Sequence, residues 1–72
     1  MDNVVYPEFS IASLPLLQLR LLEQFPQKTS LVRAECARYL IITGLALRCP
    51  GADGNDYLHL SDYGRHRLKS LG

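Results

Sequence analysis

Apolar residues recur along this chain at helical spacing, then at alternating spacing, then at helical spacing again. From Leu14 to Phe25 the order is Leu-Pro-Leu-Leu-Gln-Leu-Arg-Leu-Leu-Glu-Gln-Phe. Ser13 is a natural N-cap, proline is tolerated in a first turn, and Pro26 stops the segment, so the pattern predicts a helix over 14–25. At about 100° per residue, Leu14, Leu17, Leu21 and Phe25 fall on one stripe with Leu22 beside it, the expected core face. Leu16 and Leu19 fall on the other side, near Glu23. Two leucines there need a cover. Either another element of the chain supplies it or a second subunit does, and Leu16 and Leu19 are the expected contacts of a homodimer.

After a polar turn, Pro26-Gln27-Lys28-Thr29, a second helix is expected over 31–43, capped by Thr29 or Ser30 and ended by Gly44. Val32, Cys36, Tyr39 and Leu40 form its main apolar arc, and Ala34, Ala37 and Ile41 a smaller one. Glu35 and Arg38 share the outer face at a spacing that permits an ion pair. Leu45-Ala46-Leu47-Arg48-Cys49 and Tyr57-Leu58-His59-Leu60 alternate around a segment dense in turn formers, which reads as a β-hairpin over 45–60. Ser61 then caps a last helix over 62–71, with Asp62 in its first turn. Gly64, Leu68 and Leu71 share a face, and a glycine there allows close backbone approach. Residues 1–13 are expected to form an extended arm, in which Val4-Val5-Tyr6 could pair as a short edge strand stopped by Pro7. The expected architecture is mainly α with a β-hairpin, an α+β domain over 14–72.

Two junctions carry a resemblance. Helix 31–43 runs into Thr43-Gly44-Leu45-Ala46, similar to the junction at which a recognition helix feeds a wing. After the hairpin comes Leu58-His59-Leu60-Ser61-Asp62-Tyr63-Gly64-Arg65-His66-Arg67-Leu68. This resembles the Leu-Thr-x-x-Gly-Arg-x-x-Leu pattern of winged helix-turn-helix domains in MarR-like and PadR-like repressors, with Ser61 in place of the threonine. The resemblance covers about residues 14–71. Those domains place three helices before the wing, and this sequence supplies two. The resemblance implies a small DNA-binding transcriptional regulator that works as a homodimer on double-stranded DNA. The helix before the wing would enter the major groove. Carried over, the groove-facing candidates are Lys28, Thr29, Ser30, Arg33 and Arg38, with Arg48 at the base of the wing. Lys28 and the Ser30 amide would hold phosphate, and Arg33 would reach a base edge.

Composition narrows this picture. The 72 residues are 47% hydrophobic and 21% charged, with a formal net charge of +1. That excludes a disordered tail, a strongly basic binder and an acidic mimic of nucleic acid. The charge is unevenly spread. Residues 1–27 hold one basic and three acidic side chains, and residues 28–72 hold seven basic and four acidic. Basic charge therefore gathers where the resemblance puts DNA, and local charge is what phosphate contact requires. Against this, the wing tip carries Asp53 and Asp56. The rival expectation is a winged-helix module or inhibitor that binds another protein through the hairpin and the outer leucines.

Catalytic and metal chemistry are not expected. Cys36 and Cys49 have no zinc spacing and read as reduced structural thiols. Asp53, Asn55 and Asp56 faintly resemble a calcium loop, but its twelfth position is Gly64 rather than glutamate. No nucleophile triad, phosphate loop or cofactor motif stands out. Tyr39 and Tyr63 are expected in the core or an interface, His59 on the exposed side of its strand, and Arg65, Arg67 and Lys69 on a solvated face. The most apolar stretch, Tyr39 to Leu47, is half of what a bilayer requires. No basic segment followed by an apolar run opens the chain, so a soluble cytoplasmic protein is expected.

Overall fold

A computed structural model of the chain describes residues 9–71, and the strand expected at Val4–Tyr6 lies outside them. Three α-helices pack on one three-stranded antiparallel sheet: α1 (Ser13–Gln24), β1 (Gln27–Lys28), α2 (Ala34–Ile42), β2 (Ala46–Pro50), β3 (Asp56–Leu60) and α3 (Asp62–Leu71). A single 3-10 turn, Thr29–Leu31, joins β1 to α2. The strand order is β1-β3-β2, so β3 is central. β2 pairs with β3 from Ala46↔Leu60 to Pro50↔Asp56, and β1 pairs through Gln27↔Leu58 and Lys28↔Tyr57. The α+β class, the hairpin and the bounds of α3 agree with the sequence pattern. No helix among the described residues is long and apolar enough to cross a membrane.

The core gathers one or two side chains from almost every element. Leu19 of α1, Leu40 of α2, Leu45 before β2 and Leu58 of β3 are completely enclosed. Leu22, Val32, Cys36, Ala37, Ala46 and Leu68 close around them. α1 is therefore turned over relative to the expected orientation. Its buried residues are Pro15, Leu19 and Leu22, with Leu16 half-buried against the core. The stripe expected inside is outside: Leu14 is 53% exposed, Leu17 60%, Leu21 50% and Phe25 59%. Leu16 and Leu19 are accordingly core contacts and not a subunit interface. The reason is that α1 carries leucine on both sides, so helical periodicity alone does not choose between them. α2, β3 and α3 are the elements that α1 meets, and they take the Leu19–Leu22 side.

Helix ends differ from expectation in an instructive way. α1 begins at Ser13 itself, with Ala12 at the cap and no capping side chain. α2 begins at Ala34, three residues later than expected, after Arg33 at the cap. The Thr29 hydroxyl does not cap α2 but donates to the Asp56 carbonyl of β3 (3.2 Å), while the Val32 N–H bonds to the Thr29 carbonyl (3.1 Å). The C-terminal end of α2 follows the sequence. Gly44 adopts φ +79°, a left-handed conformation that favours glycine, and its N–H bonds to the Ile41 carbonyl (3.1 Å).

The start of α3 is locked to this same junction. The Ser61 hydroxyl accepts from the Gly64 N–H (2.9 Å), as an N-cap should, and donates to the Gly44 carbonyl (2.5 Å). The Ser61 N–H bonds to the Leu45 carbonyl (3.2 Å). Gly64 lies so close that a Cβ there would overlap that carbonyl oxygen. Arg67, expected on a solvated face, is only 6% exposed. Its guanidinium donates to the Tyr63 hydroxyl (3.1 Å) and to the Phe9 carbonyl, with the Phe9 ring centroid 4.8 Å away. Phe9 also meets Tyr39 edge-on at 6.5 Å. Arg67 thus pins the residues before α1 onto α3.

Two stability measurements follow. Leu19→Ala should lower the free energy of unfolding by about 2–5 kcal/mol, whereas Leu17→Ala on the opposite side should change it by less than about 1 kcal/mol. Urea denaturation of both variants checks the orientation of α1, and equal losses would contradict it. Gly64→Ala should lower the denaturation midpoint more than Gly54→Ala, where the left-handed backbone (φ +85°) disfavours a side chain but open space surrounds the Cβ position.

Candidate nucleic-acid interface

The surface in question lies where α2 runs beside β2. Inward, α2 buries Cys36, Ala37 and Leu40. Outward, it exposes Ala34, Glu35, Arg38 and Ile42. Because α2 leads through Gly44 directly into β2, Arg48 arrives opposite the last turns of the helix. Between them is an open groove of about 710 Å³ lined by Thr29, Ser30, Arg38, Ile41, Ile42 and Arg48 among others. Two arginines and two hydroxyls face it, and no acidic side chain lines it. Neither arginine is in an ion pair among the described residues, where the pairs are Lys28–Asp53 and Arg65–Asp62. The Glu35–Arg38 pair anticipated from spacing is not formed.

Four of the six expected DNA contacts thus converge: Thr29, Ser30, Arg38 and Arg48. The other two go elsewhere. Arg33 precedes α2 in an extended conformation (ψ 133°) and lines a second hollow with Leu14, Pro15, Cys36 and Tyr39. Lys28 lies in β1 opposite Tyr57 of β3, and its ammonium stands 3.8 Å from Asp53 in the hairpin turn. Ile42, 69% exposed in the same groove, was missed by sequence reasoning. The signal available was its position four residues after Arg38, on the same helix face.

The hairpin turn is held by its own acid. Asp53 accepts from the Tyr57 hydroxyl (2.6 Å) and from the Asn55 N–H (3.0 Å). The Tyr57 hydrogen bond above all, then Asn55, with a smaller attraction from Lys28, lowers the Asp53 carboxyl from an ordinary 3.8 to about 2. The same hydrogen bond raises the Tyr57 hydroxyl above its ordinary 10.0. The acidic tip is therefore a structured turn whose charge Lys28 partly offsets, although an exposed pair of this kind contributes little to stability. Cys36 is buried and Cys49 half-buried, and both thiols are free. Among the described residues no three His, Cys, Asp or Glu side chains cluster as a metal site would need.

In comparisons with protein families, curated proteins and solved structures, nothing matches this chain.

The turn chemistry has a measurable sign. A carboxyl whose folded value lies below its unfolded value contributes stability above about pH 4, and that contribution is lost as pH falls toward 2. An NMR titration should find Asp53 protonating near pH 2, well below a free aspartate. Asp53→Asn should return Tyr57 toward 10. Ordinary titration of Asp53 near 3.8 would mean that the Tyr57 and Asn55 bonds do not persist in solution.

Proposed function

We propose that the chain is a small DNA-binding transcriptional regulator of the winged helix-turn-helix kind, acting in the cytoplasm on double-stranded DNA. The observation that carries this reading is the acid-free groove with Arg38 and Arg48, two cations not committed to carboxylates among the described residues. The order of elements supports it: helix, short strand, turn, helix, hairpin, helix, with the strand before α2 added beside the hairpin. α2 is a nine-residue helix, and an α-helix about 10–12 Å across with its side chains fits a major groove about 12 Å wide. In this reading Arg38 faces the groove, Arg48 and the Ser30 hydroxyl meet phosphate, the Thr29 hydroxyl stays on the Asp56 carbonyl, and the β2–β3 hairpin is the wing. Lys28, whose ammonium stands 3.8 Å from Asp53, would meet phosphate only beside that carboxylate.

One observation favours a second reading. Leu31 is 75% exposed and Ile42 69% exposed beside the same groove, more apolar surface than phosphate contact uses. A winged-helix module or inhibitor that binds protein would use these residues.

Salt dependence separates the two. Fluorescence anisotropy with a labelled mixed-sequence duplex should show binding at low salt that weakens steeply as salt rises. Arg38→Ala and Arg48→Ala should each reduce the slope of log K against log salt by about 0.9 if each contacts one phosphate. Ile42→Ala should leave the slope unchanged. No binding to duplex DNA at low ionic strength would reject the DNA reading and leave the second in its place.

A further inference from the structure

The exposed side of α1 is the largest unexplained feature of the surface. Leu14, Leu17 and Leu21 form a stripe along its outer side, and Phe25 follows just past the helix end in extended backbone; each is at least half exposed. Together they present on the order of 400 Å² of apolar side chain, about the size of the largest patch on an ordinary monomer, and such patches mark binding sites. A stable interface buries roughly 800 Å² per partner, of which a little over half is apolar. The stripe with its polar margins therefore matches one side of an ordinary protein–protein interface.

We propose that the occupant is a second copy of this chain, docked through α1 in an antiparallel two-fold arrangement. Three observations select that partner. First, the stripe is nearly palindromic. Its spacings are three, four and four residues, so a two-fold axis near the middle of α1 sets Leu17 against Leu21 of the second copy. The same axis sets Leu14 against Phe25 of the second copy. A two-fold interface requires this self-complementarity. Second, the polar residues bordering the stripe on the helix projection are Ser13, Gln18 and Gln24, all uncharged. Glu23 lies on the far side of the helix, and Arg20, about 20° beyond Ser13, is the charged residue nearest the stripe.

Third, at the Leu14 end of the stripe a hollow of about 370 Å³ opens between the start of α1 and α2, with Leu14, Pro15, Cys36 and Tyr39 in its wall beside Arg33 and Glu35. The antiparallel register delivers the Phe25 ring of the second copy to this hollow. Each copy gives one ring and accepts one, so the interface closes on itself and stops at two chains. The interface differs from the one expected at Leu16 and Leu19, and it is independent of whether the chain binds DNA.

The experiment is sedimentation equilibrium of the full chain without DNA. The expected result is a species of twice the 8.1 kDa monomer mass. Leu17→Glu should weaken association by at least 100-fold, and Phe25→Ser by at least 10-fold. Both positions are more than half exposed in a single chain, and circular dichroism of the variants should match the parent. In a mixed sample of labelled and unlabelled chains, isotope-filtered NMR should show contacts between Phe25 ring protons of one copy and Leu14 methyls of the other. An 8.1 kDa species at millimolar concentration would overturn the proposal. So would a dimer unaffected by Leu17→Glu, or intermolecular contacts confined to Leu31, Ile42 or Leu47. A monomer whose stripe resonances broaden only with phospholipid vesicles would assign the face to a lipid surface instead. DNA binding is measured separately, so failure of either reading leaves the other standing.

Discussion

The Leu45 carbonyl is the point on which the rest of the structure turns. It lies at the exit from α2, accepts the Ser61 N–H at the entrance to α3, and is covered by the bare Cα of Gly64. The Ser61 hydroxyl adds a bond to the Gly44 carbonyl while capping α3. These contacts bring the two ends of the hairpin together, since β2 leaves from Leu45 and β3 arrives at Ser61. Once they are fixed, the register Ala46↔Leu60 follows, and Leu45, Leu58 and Leu68 are directed into one core. A side chain at position 64 would separate α3 from this junction and slacken the hairpin as well.

That junction was also the most legible part of the sequence. Gly44, Ser61 and Gly64 are residues whose special chemistry has few uses, and each use was the expected one. The α3 bounds and the hairpin followed from them. α1 was illegible for the opposite reason. Leucines at 14, 16, 17, 19, 21 and 22 give two acceptable apolar faces, and only the shape of α2, β3 and α3 decides between them. β1 has two residues, too few to show alternation, and exists because β3 offers a free side. The late start of α2 reflects a competition in which the Thr29 hydroxyl bonds to Asp56 of β3 rather than to a helix end. Arg67 shows a further limit of pattern reading: its charge suggested solvent, whereas a tyrosine hydroxyl, a backbone carbonyl and a phenyl ring surround it.

The candidate groove was half legible. Thr29, Ser30, Arg38 and Arg48 come together because the turn before α2 and the strand after it lie on the same side of that helix. Lys28 and Arg33 are close to them in sequence but are diverted, one by strand pairing and the other by an extended backbone at the helix start. Among the described residues, a strand of two residues and a 3-10 turn over Thr29–Leu31, rather than a further helix, lie between α1 and α2. α2 is consequently supported from α1 and the sheet, and the orientation of α1 matters to the groove as much as to the core.

The strand order has a last consequence. With β3 in the middle and β1 only two residues long, β2 is the sheet's long outer strand among the described residues, and an open edge invites strands from other molecules. This one is poorly suited to receive them. It is five residues long, ends in Pro50, which has no N–H to offer, and carries the charge of Arg48. Lateral growth of the sheet into fibrils is thereby discouraged.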